Sequence, residues 1–424
     1  MTAQRRHPRT DDSAAARDPY GVGLRRPILA PALAAIGLAV AAFVTFGLFT
    51  GQIPFLPTGG HGSGNRGGSG VAARPPGATP LPNVVETNKS VQFPGTLVYV
   101  KAGNLWIQTG SDAKQLTKTG ADADPAFSAD GQWIYYVTHK SKRGLYQNEG
   151  RPAYYDLDYP ILMRIHPDGS GAEALLSGLI KYGGGREWQA FILQPAPAPD
   201  GKTIALVSDL PDPSSSDVVL QTFDLTTEKL TPVPVPENPP LGHQDPAYSP
   251  DGKTLLYIQN ARDGSRGAPS IWRWLPAKKR FGAVTGPGYV SPNWSPDGRY
   301  VAATLTDSFG TNVVILDART GAEILRVTTD DNSWAPTWSP RGDQLVYMHL
   351  DGLAVDLRIV DLTGKGASMK ASESQPLTDF AGLDGASRAT WFVPADQLPT
   401  PAPSVSAASA SPAGTVEPSA SAVP

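Results

Sequence analysis

Any chemistry in this chain must come from histidines, carboxylates and hydroxyls, because it has no cysteine. That excludes disulfides, thiolate metal sites and cysteine nucleophiles. A lipid anchor attached through cysteine is excluded with them. Of the histidines, His7 and His61 fall in a basic leader and a glycine-rich stretch, while His139, His166, His243 and His349 stand apart from one another. There is no H-E-x-x-H, no G-x-S-x-G elbow and no phosphate-cradling glycine loop. Three acidic pairs occur, Asp122-x-Asp124, Asp156-x-Asp158 and Asp330-Asp331. None completes a calcium loop, so they are read as solvated turns. No cofactor and no metal are expected. The net charge of −3 carries no basic excess for nucleic acid.

The elements that would position these groups repeat along the chain. Pro125-Ala-Phe-Ser-Ala-Asp-Gly131 returns as Pro195-Ala-Pro-Ala-Pro-Asp-Gly201, Pro246-Ala-Tyr-Ser-Pro-Asp-Gly252, Pro292-Asn-Trp-Ser-Pro-Asp-Gly298 and Pro336-Thr-Trp-Ser-Pro-Arg-Gly342. A worn copy is Ala389-Thr-Trp391. Successive starts lie 70, 51, 46, 44 and 53 residues apart, the period of propellers and solenoids. Within each unit a strand ends, Pro-Asp-Gly turns the chain, and an apolar strand returns, as in Thr203-Ile-Ala-Leu-Val207. A third strand follows, then a fourth ending in Leu-Thr or a near equivalent: Leu230-Thr231, Val284-Thr285, Val327-Thr328, Leu377-Thr378. Four strands make a propeller blade.

The two ends complement each other. Thr96–Val100, Asn104–Ile107 and Lys114–Thr117 read as strands two to four without a first, and Ala389–Pro394 reads as a first strand alone. Pairing them closes a ring and removes exposed edges. The expectation is an all-β fold, a six-bladed β-propeller over residues 93–395, preceded by one transmembrane helix.

That helix is expected at 27–50. Ile28–Phe49 is uncharged and apolar, and as a helix it is about 33 Å long, enough to cross a bilayer. Arg5, Arg6, Arg9, Arg17, Arg25 and Arg26 precede it, and no Lys or Arg follows until Arg66. The positive-inside rule therefore places a cytoplasmic leader at 1–26 and the rest outside. A cleaved signal peptide is the alternative, but the leader is long and no A-x-A site follows Phe49. Residues 51–92 read as a flexible Gly/Pro/Ser linker and 396–424 as a disordered Pro/Ala/Ser tail.

The phrase Pro-x-Trp-Ser-Pro-Asp-Gly-Lys/Arg with its Leu-Thr ending resembles the WD40-like repeat of TolB-type propellers. The resemblance implies a bacterial cell-envelope protein that binds partners, and it departs from TolB in having an anchor and linker at the N-terminus. It also extends to propeller-bearing peptidases, but the 29 residues after Ala395 are too few for a hydrolase domain.

Blade topology selects one face. Loops after strands two and four leave from the same side, and the two longest insertions, Thr138–Pro160 and Gly178–Gln194, both occupy it. They carry Tyr146, Arg151, Tyr154, Tyr155, Tyr159, Tyr182, Arg186 and Trp188, residue types that dominate binding hot spots. The other reading is that these aromatics fold the insertions onto the propeller. His243, Asp245, Tyr289 and Trp334, from shorter loops on that side, are candidates to line the central opening. The function expected is a binding scaffold, not an enzyme, contacting an envelope protein, peptide or polymer. The alternatives are a metal-dependent lactonase or lyase in the channel, and a sensor.

Overall fold

The Pro-Asp-Gly phrase folds through its serine and aspartate. Ser128 Oγ donates to Asp130 Oδ1 at 2.6 Å and accepts the Trp133 N–H at 2.9 Å. Ser249 with Asp251 and Ser295 with Asp297 repeat the contact at 2.7 Å. Glycine ends the turn because its φ is +69° at Gly131 and Gly252 and +68° at Gly298, a region costly for other residues.

The computed structural model describes residues 79–148, 151–213, 217–236, 242–260 and 269–398. The expected leader and membrane helix, most of the linker and nearly all of the tail lie outside the described residues. Among the described residues no helix is long and apolar enough to cross a membrane.

First in the chain come β1 (Thr96–Lys101), β2 (Asn104–Thr109) and β3 (Asp112–Gln115). Blade one is β4 (Asp122–Phe127), β5 (Ile134–Asn148), β6 (Arg151–Ile165) and β7 (Glu173–Ser177). A separate ribbon, β8 (Leu179–Lys181) and β9 (Glu187–Gln189), follows it. Blade two is β10 (Ile192–Pro197), β11 (Thr203–Ser208), β12 (Val219–Asp224) and β13 (Leu230–Pro232). Blade three is β14 (His243–Tyr248), β15 (Leu255–Gln259), β16 (Ser270–Leu275) and β17 (Arg280–Ala283). Blade four is β18 (Tyr289–Trp294), β19 (Tyr300–Thr306), β20 (Thr311–Asp317) and β21 (Glu323–Arg326). Blade five is β22 (Ser333–Trp338), β23 (Gln344–Asp351) and β24 (Ala354–Thr363), edged by β25 (Lys370–Ala371) and β26 (Gln375–Pro376). Finally β27 (Thr390–Phe392) pairs with β1, setting Leu97 opposite Trp391, and completes blade six. The expected all-β six-bladed ring is thus closed by its two ends.

The core lies between blades. Six apolar clusters fill the six interfaces, for example Tyr135, Val137, Ile192, Ile204 and Phe223 between blades one and two. This burial on both faces explains the near-continuous apolar second strands. The Leu-Thr ending has its own cause. The hydroxyls of Thr117, Thr285, Thr328 and Thr378 accept the N–H that opens the third strand, at Leu105, Ile271, Val313 and Leu357, over 2.8–3.0 Å. Blade two departs from the expectation. Leu230-Thr231 lies too early, and Val233 takes the register of the leucine through its N–H to Leu220 O at 2.9 Å. Proline follows at 234, so no hydroxyl is there, and His243 Nδ1 accepts the Leu220 N–H instead at 3.0 Å.

The chain before β1 straps blade five to blade six. Asn88 N–H donates to Leu377 O at 3.0 Å, and the Asp379 N–H to Glu86 O at 2.9 Å. Beyond it, the Asp384 carboxylate accepts the N–H groups of Ala102 and Gly103 at 3.0 and 2.7 Å. The buried Lys101 ammonium donates to Ala381 O.

Candidate functional site

The first long insertion is not a loop. Strands β5 and β6 stay paired from Ile134↔Ile165 out to Asn148↔Arg151, so they leave the blade as a projecting two-stranded arm. The second insertion is the β8–β9 ribbon, in which the Tyr182 N–H donates to Arg186 O at 2.7 Å and Arg186 Nε to Gly183 O at 2.9 Å. Opposed residues of an antiparallel ribbon share a face, so Lys142, Gly144 and Tyr146 lie with Leu157, Tyr155 and Ala153. That face takes the ribbon. Trp188 lies tilted against Tyr146 at 4.5 Å and meets Tyr155 edge-on at 5.5 Å, while Tyr182 lies 5.9 Å from Tyr146. Lys142 pairs with Glu187 at 2.7 Å, and Gln189 Oε1 accepts the Asp158 N–H at 2.7 Å. Burial raises the Tyr182 hydroxyl pKa, with Tyr146 beside it.

The other face holds Arg143, Leu145, Tyr154 and Asp156. Tyr154 is 64% exposed, with the Arg143 guanidinium 5.4 Å from its ring centre. Arg151 is exposed at the far end of the arm, and Tyr159 is half-buried near its root. Of the eight insertion residues, then, Tyr146, Tyr155, Tyr182 and Trp188 join the two insertions. Tyr154 and Arg151 stay exposed.

The four residues expected at the central opening separate. His243 is buried between blades two and three, its Nε2 2.9 Å from Pro236 O and its ring edge-on to Tyr257 at 5.1 Å. With Nδ1 accepting, Nε2 must carry the proton, and burial lowers its pKa. Tyr289 packs on the core between blades three and four. Trp334 donates to Gly385 O at 2.8 Å, and a Cβ on Gly385 would meet its ring at 2.8 Å. Asp245, by contrast, meets inner-strand side chains of both neighbouring blades.

Asp245 belongs to a ring of residues that single positions did not reveal. Five of the six inner strands have a register break at the repeat's proline. The residue before it takes a left-handed backbone: Asp124 (+52°), Gln194 (+54°), Asp245 (+47°), Ser291 (+53°) and Ala335 (+50°). Arg388 precedes the worn repeat and is the sixth member by register. Gln194 Nε2 donates to Asp245 Oδ1 at 2.7 Å, and Gln194 Oε1 accepts the Asp245 N–H at 2.8 Å. Ser291 Oγ reaches Asp245 Oδ2 at 3.1 Å. Asp124 Oδ2 accepts the Gln194 N–H at 3.1 Å. Arg388 Nη1 donates to Pro292 O at 2.8 Å and Nη2 lies 3.8 Å from Asp245. Burial, reinforced by Asp245, pushes the Asp124 carboxyl up to about 6 against the opposing Gln194 N–H, Arg388 and His139. Gln194, Ser291 and Arg388 carry no chemical signature alone. Aligning the residue just before each repeat's proline would have found them.

Apart from Asp124, the acidic pairs serve local structure, and Asp122 is buried rather than in the solvated turn expected. Asp122 accepts the Thr117 hydroxyl at 2.5 Å, Asp158 meets His139 at 3.3 Å, and Asp331 accepts Asn312 Nδ2 at 2.6 Å. Among the described residues no three His, Asp or Glu side chains converge as metal ligands.

No family model and no curated protein matches the chain. Solved structures resembling it include TolB from Acinetobacter baumannii, at 20% identity over 70% of this chain and 66% of that one, TM-score 0.49. A putative TolB from Agrobacterium tumefaciens resembles it at 14% identity over 70% and 91%, TM-score 0.44. An oligogalacturonate lyase in complex with manganese does so at 16% over 65% and 75%, TM-score 0.42. At such identities the likeness concerns chain path, not activity.

Proposed function

We propose that this chain is a membrane-anchored, extracytoplasmic propeller that serves as a binding scaffold in the cell envelope. The observation that carries the reading is the arm. Trp188 clamps the β8–β9 ribbon to the β5–β6 hairpin, and Tyr154 and Arg143 remain outside the clamp. A projecting, aromatic-braced element with an exposed Tyr and Arg is a recognition device. The anchor is supported by the uncharged run Ile28–Phe49 and the arginines before it. The test is capture of envelope components by the full chain in detergent, with and without alanine at Tyr154 and Arg143. Capture should fall about thirtyfold, the scale of a hot-spot loss. Unchanged capture would remove the arm from the reading.

One observation favours a second reading, an enzyme working in the channel. Asp124, with its carboxyl near 6, has the acidity of a general acid or base. Turnover lost in Asp124→Asn, with the stability of the ring retained, would move the assignment there.

A further inference from the structure

The arm's first strand leaves the blade with an open edge. The His139 N–H points away from β6 and donates to Ala121 O at 2.9 Å. Because backbone direction alternates with period two, Ser141, Arg143, Leu145 and Gln147 turn their N–H and C=O groups the same way. Among the described residues β5 pairs only with β4, up to Thr138, and with β6. The stretch from Ser141 to Gln147 is thus about 23 Å of unpaired ladder. Sheet edges of this kind are ordinarily blunted or covered.

The edge of β6 is blunted at its tip and covered at its root. The Asp158 N–H donates to Gln189 Oε1 at 2.7 Å, Pro160 O accepts the Gly178 N–H at 2.8 Å, and Pro152 and Pro160 have no N–H to offer. Among the described residues the edge of β5 from Ser141 to Gln147 has no such cover, and it holds no proline. It carries cations of both facial orientations, Lys140 and Lys142 on one face and Arg143 on the other, and no carboxylate between Lys140 and Asn148. Only Lys142 has an ion-pair partner among these three. Tyr154 and the half-buried Leu145 stand opposite each other beside the edge.

We infer that the β5 edge from Ser141 to Gln147 is a strand-addition site for an extended, acidic peptide segment of a partner protein. The backbone ladder would supply the pairing. Lys140 on one face and Arg143 on the other would select carboxylates, and Tyr154 with Leu145 would hold one apolar side chain. This deepens the scaffold reading and rests on it.

The probe is a pool of octapeptides with Asp or Glu fixed at alternate positions, set against a matched Lys pool and an acidic polysaccharide, all with the full chain. The acidic pool is expected to bind, weaken with salt, and slow amide exchange at Ser141, Arg143, Leu145 and Gln147 while leaving β6 unchanged. Arg143→Glu should weaken it about tenfold. Ser141→Pro, which removes an outward N–H and no side chain that the site uses, should do likewise with Tm retained. Failure of the acidic pool to bind, equal binding of the Lys pool, or polysaccharide binding without amide protection overturns strand addition. If envelope capture still depends on Tyr154 while these amides stay unprotected, strand addition fails and the arm stands. If capture ignores Tyr154 and Arg143, the arm leaves the scaffold reading and strand addition falls with it.

Discussion

Asp124 and His243 are opposite cases of the same physics, since burial disfavours the charged form of each. For Asp124 the folded carboxyl sits near 6, above an unfolded value near 4. The folded state therefore holds the extra proton between those values, and stability from this group is present below about pH 4 and lost as pH rises through 6. Asp124→Asn should remove that dependence. Its stability relative to the parent, measured by denaturant unfolding, should gain about 2 kcal/mol between pH 4 and 6.5. A flat difference would mean that Asp124 is not desolvated. For His243 the shift is downward, so its stability contribution holds above the unfolded value near 6.5 and is lost as pH falls below it. His243→Ala should orphan the Leu220 N–H and cost about 1–3 kcal/mol at pH 7, with the deficit shrinking in acid.

At the scale of elements, the aromatic residues of the insertions divide by role. Trp188 holds the ribbon to the arm through Tyr146 and Tyr155. Trp188→Ala should leave the propeller's unfolding transition in place but release the ribbon. Limited proteolysis should then cut near Gly183–Gly185 many times faster, and an unchanged cleavage rate would count against the clamp. The arm also marks a limit of pattern reading. The stretch from Thr138 to Pro160 mixes charge, glycine and tyrosine and has no turn signal at its ends, so it reads as an insertion. Only the uninterrupted register from Ile134 to Asn148 makes it a hairpin. The Leu-Thr endings were legible because a hydroxyl is required at the same register in several blades. Blade two escaped because a histidine from the next blade's first strand replaced the hydroxyl, and no local pattern announces that exchange.

For the whole molecule, closure is the decisive contact. Trp391 in β27 donates to Pro94 O at 2.8 Å and meets Phe93 edge-on at 5.8 Å, in the core between blades five and six. Trp391→Ala should cost about 3–5 kcal/mol and lower a single cooperative transition. Loss of one blade's signal with the others intact would argue against a closed ring.

Repeat period, turn chemistry and matching half-blades at the two ends are written locally, and with them the six-bladed ring was determined by the sequence itself. Strand polarity also marked the face with the long insertions. The tertiary structure alone decided what stands at the centre and what stays exposed. Asp124, Gln194, Asp245 and Ser291 meet only when successive blades pack, which brings residues 46 to 70 positions apart within hydrogen-bond reach, and Arg388 joins them from 96 positions beyond Pro292. Tyr154 becomes exposed and Trp188 a clamp only when two insertions pack together. Periodicity reports what each strand needs from its neighbours, whereas a side chain's surroundings are set by chain segments that its own sequence does not contain.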